Sequence, residues 1–199
     1  MKTPLRYQAS EFDCGPTAVL NAISFLYDTE EIPPDFIKKI YEVSLDNYLG
    51  GRAFYSGTSM ISMCYLSGWM DSYARHSNFP LHTEFYQGSG VSLCDDSPIL
   101  KCLRNGGAAV VRCILETDHY ITLTGIDGDH IHVFDPYYED DPPAGPGVTL
   151  INDRPKEMNR KIDISVMNCN ASCDYAFCSL KHRCAMLIYR TVQEKFKLD

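Results

Sequence analysis

The chain has 199 residues, 45% of them apolar and 22% charged, which is the balance of an ordinary globular protein with material for a full core. A formal net charge of −8 argues against a nucleic-acid or anionic-membrane partner and suits a neutral or basic peptide. No apolar run approaches the roughly 18 residues of a membrane span, and Met1-Lys2-Thr3-Pro4-Leu5-Arg6 lacks the apolar core of a signal peptide, which points to the cytoplasm.

Helical patterning fills the first half. From Cys14 to about Tyr27, Val19, Ile23 and Leu26 form one stripe with Ala18 and Ala22 beside it; Asp13 is placed as N-cap and Pro16 is tolerated in the first turn. A second helix starts at Pro34-Asp35. A third follows Thr58-Ser59 and ends at Gly68, and a fourth runs from Ser97 to Asn105 with Gly106 as its stop. Between Asp46 and Asp95 stand many aromatic residues, among them Tyr48, Phe54, Tyr55, Trp69, Tyr73, Phe79, Phe85 and Tyr86, that could shape pockets.

After Gly107 the texture turns to strands: Ala108–Leu115, Tyr120–Ile126, and Ile131–Phe134 returning through the turn Asp127-Gly128-Asp129. Ile162, Ile164 and Val166 alternate with polar residues, and 185–192 reads as a terminal strand. Residues 140–147, rich in proline and glycine, form a loop or flap. Helices first and an antiparallel sheet afterwards predict an α+β fold of two layers in one domain over residues 1–199.

Cys14 opens a helix, where unpaired N–H groups and the helix dipole favour a thiolate. Taken alone it is a small buried residue; its neighbours change that reading. Gln8 is a candidate oxyanion donor, because acyl transfer places negative charge on the attacked oxygen. His119, at the start of a strand, is the candidate general base. Asp135, before Pro136 at the end of the return strand, is placed to hold the other nitrogen of the ring. Gly15, Asp118 and Tyr120 flank these groups and are the candidate substrate contacts. His130 and His132 are alternative bases, read as exposed hairpin residues rather than as a metal pair.

Gln8, the run Asp13-Cys14-Gly15-Pro16-Thr17-Ala18-Val19-Leu20, His119-Tyr120, Gly125-Ile126-Asp127-Gly128 and Asp135-Pro136 together resemble the C39 peptidase family and its C39-like relatives. The resemblance covers residues 5–137 and implies a papain-like fold in which N-terminal helices pack on an antiparallel sheet. It implies Cys14 as nucleophile, His119 as base, Asp135 as orienting residue and Gln8 as oxyanion donor, all four positions being filled. The family's best-known members remove leader peptides after Gly-Gly, often as a domain of an exporting transporter. No transporter accompanies these residues, so export-coupled cleavage is not implied.

Residues 138–199 fall outside that pattern and are read as an extension completing the sheet. The chain has nine cysteines, an odd number. Cys169, Cys173, Cys178 and Cys184 are spaced by four, five and six; only the first pairs fit the C-x₂₋₄-C pattern of zinc sites loosely, with His182 able to join, so free thiols are expected over zinc or a disulfide. Cys64, Cys94, Cys102 and Cys113 read as core packing. Glu139-Asp140-Asp141 borders the expected cleft, as do Tyr137 and Tyr138.

The sequence thus predicts a cysteine peptidase acting on a peptide or protein, with no cofactor and no metal. An acyltransferase or transpeptidase using the same Cys-His site is the alternative within that chemistry. A non-catalytic peptide-binding module and a zinc-dependent interaction domain are the alternatives outside it.

Overall fold

Thr122 carries its hydroxyl into the first helix, donating to the Ala18 carbonyl at 2.8 Å, and this buried bond sets how the helix lies on the sheet. The computed structural model describes residues 1–53, 55–139 and 145–192. Its elements are α1 (Cys14–Leu26), α2 (Pro34–Ser44), the short strands β1 (Tyr48–Leu49) and β2 (Arg52–Ala53), α3 (Met60–Ser77), β3 (Leu81–Gln87) and α4 (Pro98–Arg104). There follow β4 (Ala108–Leu115), β5 (Thr117–Asp127), β6 (His130–Phe134), β7 (Val148–Leu150), β8 (Arg160–Asp163), α5 (Ile164–Met167) and β9 (Cys184–Arg190).

Seven strands form one antiparallel sheet in the order β3-β9-β4-β5-β6-β8-β7. The architecture is α+β, with the N-terminal helices packed on the sheet. Because side chains alternate along a strand, each strand serves two cores. Ala108 and Val110 of β4, with Met186 and Ile188 of β9, face α1, α2 and α3. Ala109, Val111 and Leu187 face the other way, onto Ile99 and Leu100 of α4 and onto Met167, Tyr175 and Phe177. The second face is therefore covered too, and the two expected layers become three.

The expected helices and hairpin stand in place, with corrections. α3 does not stop at Gly68 but continues to Ser77, where Asn78 takes the left-handed conformation. Glycine costs a helix about 1 kcal/mol without ending it, and the aromatic ladder of Trp69 and Tyr73 on Phe36 rewards the extension. β3 escaped the sequence reading; so did the central place of β9, which lies between β3 and β4 rather than at the margin. Ile164 and Val166 lie in α5, because the strand breaks at Asp163, whose N–H turns to the Gly147 carbonyl at 2.8 Å.

Cys102 and Cys113 are buried as expected, whereas Cys64 and Cys94 are exposed, being on outward positions of α3 and of the loop before α4. All nine cysteines are free thiols. Trp69, Tyr73 and Phe79 surround Phe36 in the helical core and are packing residues, with Phe79 also bordering a hollow beside Arg190 away from Cys14. Phe54, Asp140 and Asp141 and most of the 140–147 loop lie outside the described residues.

α1 is buried on almost every side, with Gly15 included. A Cβ on Gly15 would lie 2.1 Å from Thr58 Oγ1 and 2.6 Å from Thr58 Cβ, so the loop before α3 can close on this helix end because glycine stands there. Gly15→Ala is expected to lower stability by about 1–3 kcal/mol in urea unfolding, the range for overpacking. Thr58→Gly in the same chain should recover part of that loss and Thr58→Ser none, since serine keeps both clashing atoms.

Candidate functional site

The N-terminus of α1 owes its chemistry to an unusual use of Asp13. Asp13 occupies the N-cap position, but its side chain makes no cap hydrogen bond. Its carboxylate instead accepts from the Ala9 and Ser10 N–H groups at 3.0 and 2.7 Å and from the Ser10 hydroxyl at 2.7 Å. Burial opposes the charge, and the Ser10 hydroxyl and these N–H groups overcome it, holding the Asp13 carboxyl below the usual range. Three competing donors on the preceding loop have captured the expected cap, which leaves the donors of the first helical turn to other acceptors.

That captured loop carries Gln8. Asn21, fully buried on α1, receives the Arg6 N–H at 2.7 Å and returns its own amide to the Arg6 carbonyl at 2.8 Å. The Gln8 N–H donates to the Pro136 carbonyl at 2.8 Å, tying this strap to the residue after Asp135. The Gln8 side-chain amide donates to the Ser10 carbonyl at 2.9 Å, and Gln8 lines the same hollow as Cys14 and His119.

His119 and Asp135 meet directly. Nε2 of His119 lies 2.7 Å from Asp135 Oδ1, with the histidine 6% exposed and the aspartate fully buried. A carboxylate only accepts, so Nε2 donates and Nδ1 is the nitrogen left for Cys14. Burial would depress the imidazolium, but the hydrogen bonds to Asp135 and then to Cys14 outweigh it, and the His119 pKa is pushed up to about 10. Asp135 shows the converse: burial would raise it, and the bonds from His119, the Tyr137 N–H and Tyr175 lower it.

Two residues absent from the sequence reading complete the surroundings. Asn159 clamps the Asp135 backbone in both directions at 2.8 Å, and the Tyr175 hydroxyl donates to Asp135 Oδ2 at 2.8 Å. Neither sits in a periodic segment, and the bonds span 24 and 40 positions of sequence. The available signal was slight, an apolar neighbour on one side only: Met158 before Asn159, and Ala176-Phe177 after Tyr175.

Two hollows flank Cys14. One of about 180 Å³ is bounded by Gln8, Glu116, His119, Tyr137 and Tyr175; the other, of about 450 Å³, by Phe12, Tyr55, Thr58, Arg112 and Tyr120. Glu11, Thr117 and Asp118 border both. Asp118 is paired with Arg112 at 3.1 Å, and Tyr120 is buried with its hydroxyl 3.6 Å from the Cys184 sulfur. Gly15 faces Thr58. His130 is paired with Asp163 at 3.1 Å and His132 packs over Gly125, so neither joins Cys14. Among the described residues no cluster of His, Cys, Asp and Glu could hold a metal ion, and no helix is long and apolar enough to cross a membrane.

No family model matches this sequence. No curated protein matches it either. Among solved structures, it is similar to a double-glycine motif protease from an AMS/PCAT transporter in complex with the leader peptide. The identity is 14% and the TM-score 0.43, over 94% of this chain and 91% of that one.

The ion pair has a pH signature. His119 binds its proton more tightly folded (about 10) than at its ordinary value of 6.5, so its contribution is complete below about pH 6.5 and lost as pH rises through about 10. Urea-unfolding free energy should therefore fall between these limits in the native sequence and show a flatter profile in His119→Gln.

Proposed function

We propose that this chain is a cysteine peptidase with a papain-like arrangement, in which Cys14 attacks a peptide carbonyl. The observation that carries the proposal is the buried His119–Asp135 pair, lining one hollow with Cys14 at a helix N-terminus. A core histidine needs one partner to be satisfied; an imidazole held between a buried carboxylate and a thiol is arranged for proton transfer.

In this reading the Cys14 sulfur bonds to the carbonyl carbon and the carbonyl oxygen takes the negative charge. Donors in reach are the free N–H groups at the start of α1 and the second N–H of the Gln8 amide, whose first is fixed on Ser10. His119 gives its proton to the leaving amine as the C–N bond breaks, leaving a thioester on Cys14. Water then attacks, His119 takes its proton, and the acid departs with the thiol restored. Asp135 stays ionised throughout and holds the ring.

The hollows on either side of Cys14 suit a substrate crossing the sulfur, with residues bound before and after the scissile bond. Glu11, Glu116, Glu139 and Asp174 border the smaller one; of its cations, His119 is paired with Asp135, and Arg160 is buried and donates to Tyr175 and to the Asn159 carbonyl. That field favours peptides carrying basic residues. Cleavage after Gly-Gly is the preference the family resemblance suggests.

The deciding experiment is limiting iodoacetamide labelling from pH 4 to 9, read by peptide mass spectrometry with the other eight thiols as internal controls. Cys14 should react selectively at low pH and lose that advantage in His119→Ala. Once a cleaved peptide is in hand, Cys14→Ala should abolish turnover and Gln8→Ala lower kcat by about 10²–10³-fold. Labelling of Cys14 no faster than that of the exposed thiols Cys64, Cys94 and Cys173 would sink the proposal.

A further inference from the structure

Asp135 has both carboxylate oxygens engaged. Oδ1 accepts from His119 Nε2 at 2.7 Å and from the Tyr137 N–H at 2.8 Å, and Oδ2 accepts from the Tyr175 hydroxyl at 2.8 Å. Behind the phenol, Arg160 Nε donates to Tyr175 Oη at 3.4 Å. We propose that Tyr175 is a positioning residue for the catalytic pair, its hydroxyl fixing the rotation of the Asp135 carboxylate that aims Oδ1 at His119. The inference rests on the peptidase reading of Cys14 and His119.

Several features favour this over a phenol that happens to find an acceptor. Without the hydroxyl, Oδ2 would be a buried carboxylate oxygen with one donor fewer, and the carboxylate could turn about its Cβ–Cγ bond. Tyr175 is itself held firmly, with its N–H on the Ile114 carbonyl at 2.6 Å and the Ile114 N–H on the Ala176 carbonyl at 3.0 Å. Its backbone lies at φ +63°, in the left-handed region that a bulky side chain rarely occupies. Strain of that kind persists where the surroundings over-determine the residue. Burial, and after it the Asp135 charge, raise the phenol pKa far above its ordinary value, so the hydroxyl remains a donor wherever the pair operates.

The groups facing Asp135 are His119 from β5, Cys113 from β4, Tyr175, and Arg160 of β8 through the phenol. Burial keeps the Cys113 thiol neutral, and Arg160 is permanently charged. In acid, loss of the pair thus follows protonation of Asp135, which the Tyr175 bond holds back. Removing that bond raises the Asp135 pKa and moves the collapse of the pair to higher pH.

The test uses Cys14 labelling by iodoacetamide as a function of pH, which needs no substrate. Tyr175→Phe keeps the ring and removes the donor; its acid limb should move up by about half a unit, a roughly threefold slower reaction on the limb. Trifluorotyrosine at position 175 keeps ring and hydroxyl but donates more strongly, and should move the limb down. It also decides the matter if the phenylalanine chain fails to fold. Limbs that coincide in all three chains, even with a lower melting temperature for Tyr175→Phe, overturn the role of Tyr175 and leave the peptidase reading standing. A native limb insensitive to His119→Gln overturns both.

Discussion

A carboxylate with no exposure to water stays charged only if its surroundings donate to it, and Asp135 is such a group. Meeting that demand gathers three stretches of chain: His119 from β5, the Tyr137 N–H from the loop after β6 and Tyr175 from the segment after α5. Asn159, on the approach to β8, holds the Asp135 backbone beside them. The order β5-β6-β8 in the sheet and the docking of 175–176 beside Ile114 of β4 can be read as what this one buried charge requires. Removing one member of a buried pair typically costs about 3–5 kcal/mol, so the arrangement is structural as well as chemical.

The candidate nucleophile, Cys14, is tied to the same point by a separate route. The strap of residues 5–10 binds Asn21 on α1 at one end and the Pro136 carbonyl at Gln8, and Asp13 draws its far end onto the start of the helix. An aspartate that had capped α1 would have satisfied the first-turn donors and released Ala9 and Ser10. Here the helix end keeps its positive potential while the strap is fixed, which is what binding of an anionic oxygen beside Cys14 requires.

The helical stripes, Ser97 as cap, the Asp127–Asp129 turn and the α+β class were legible because each rests on neighbouring residues, and local spacing records them. The meeting of His119 with Asp135 was legible because a hairpin of known register links them. Gly68 misled because a helix interior tolerates glycine when Trp69 and Tyr73 have an aromatic surface to pack on. Asp13 was placed correctly and its donors misassigned, since a cap and a folded-back loop use the same residue type. Asn159 and Tyr175 were hidden for a plainer reason: their partner is a single residue, Asp135, reached through the fold, by its backbone for Asn159 and its carboxylate for Tyr175, and no repeat or spacing marks such a contact.

The site also joins the two cores. Cys14 belongs to the cluster beneath α1, α2 and α3, and Tyr175 to the cluster on the opposite face of the sheet, with His119 and Asp135 between them. Interiors packed at crystal-like density transmit displacement rather than absorb it. The segment from Cys169 to Cys178, far from Cys14 in sequence, is thus joined to the candidate site through Tyr175 and Asp135. The C-terminal stretch, outside the span of family resemblance, is in this sense part of the site: it closes the second core and supplies the donor that Asp135 would otherwise lack.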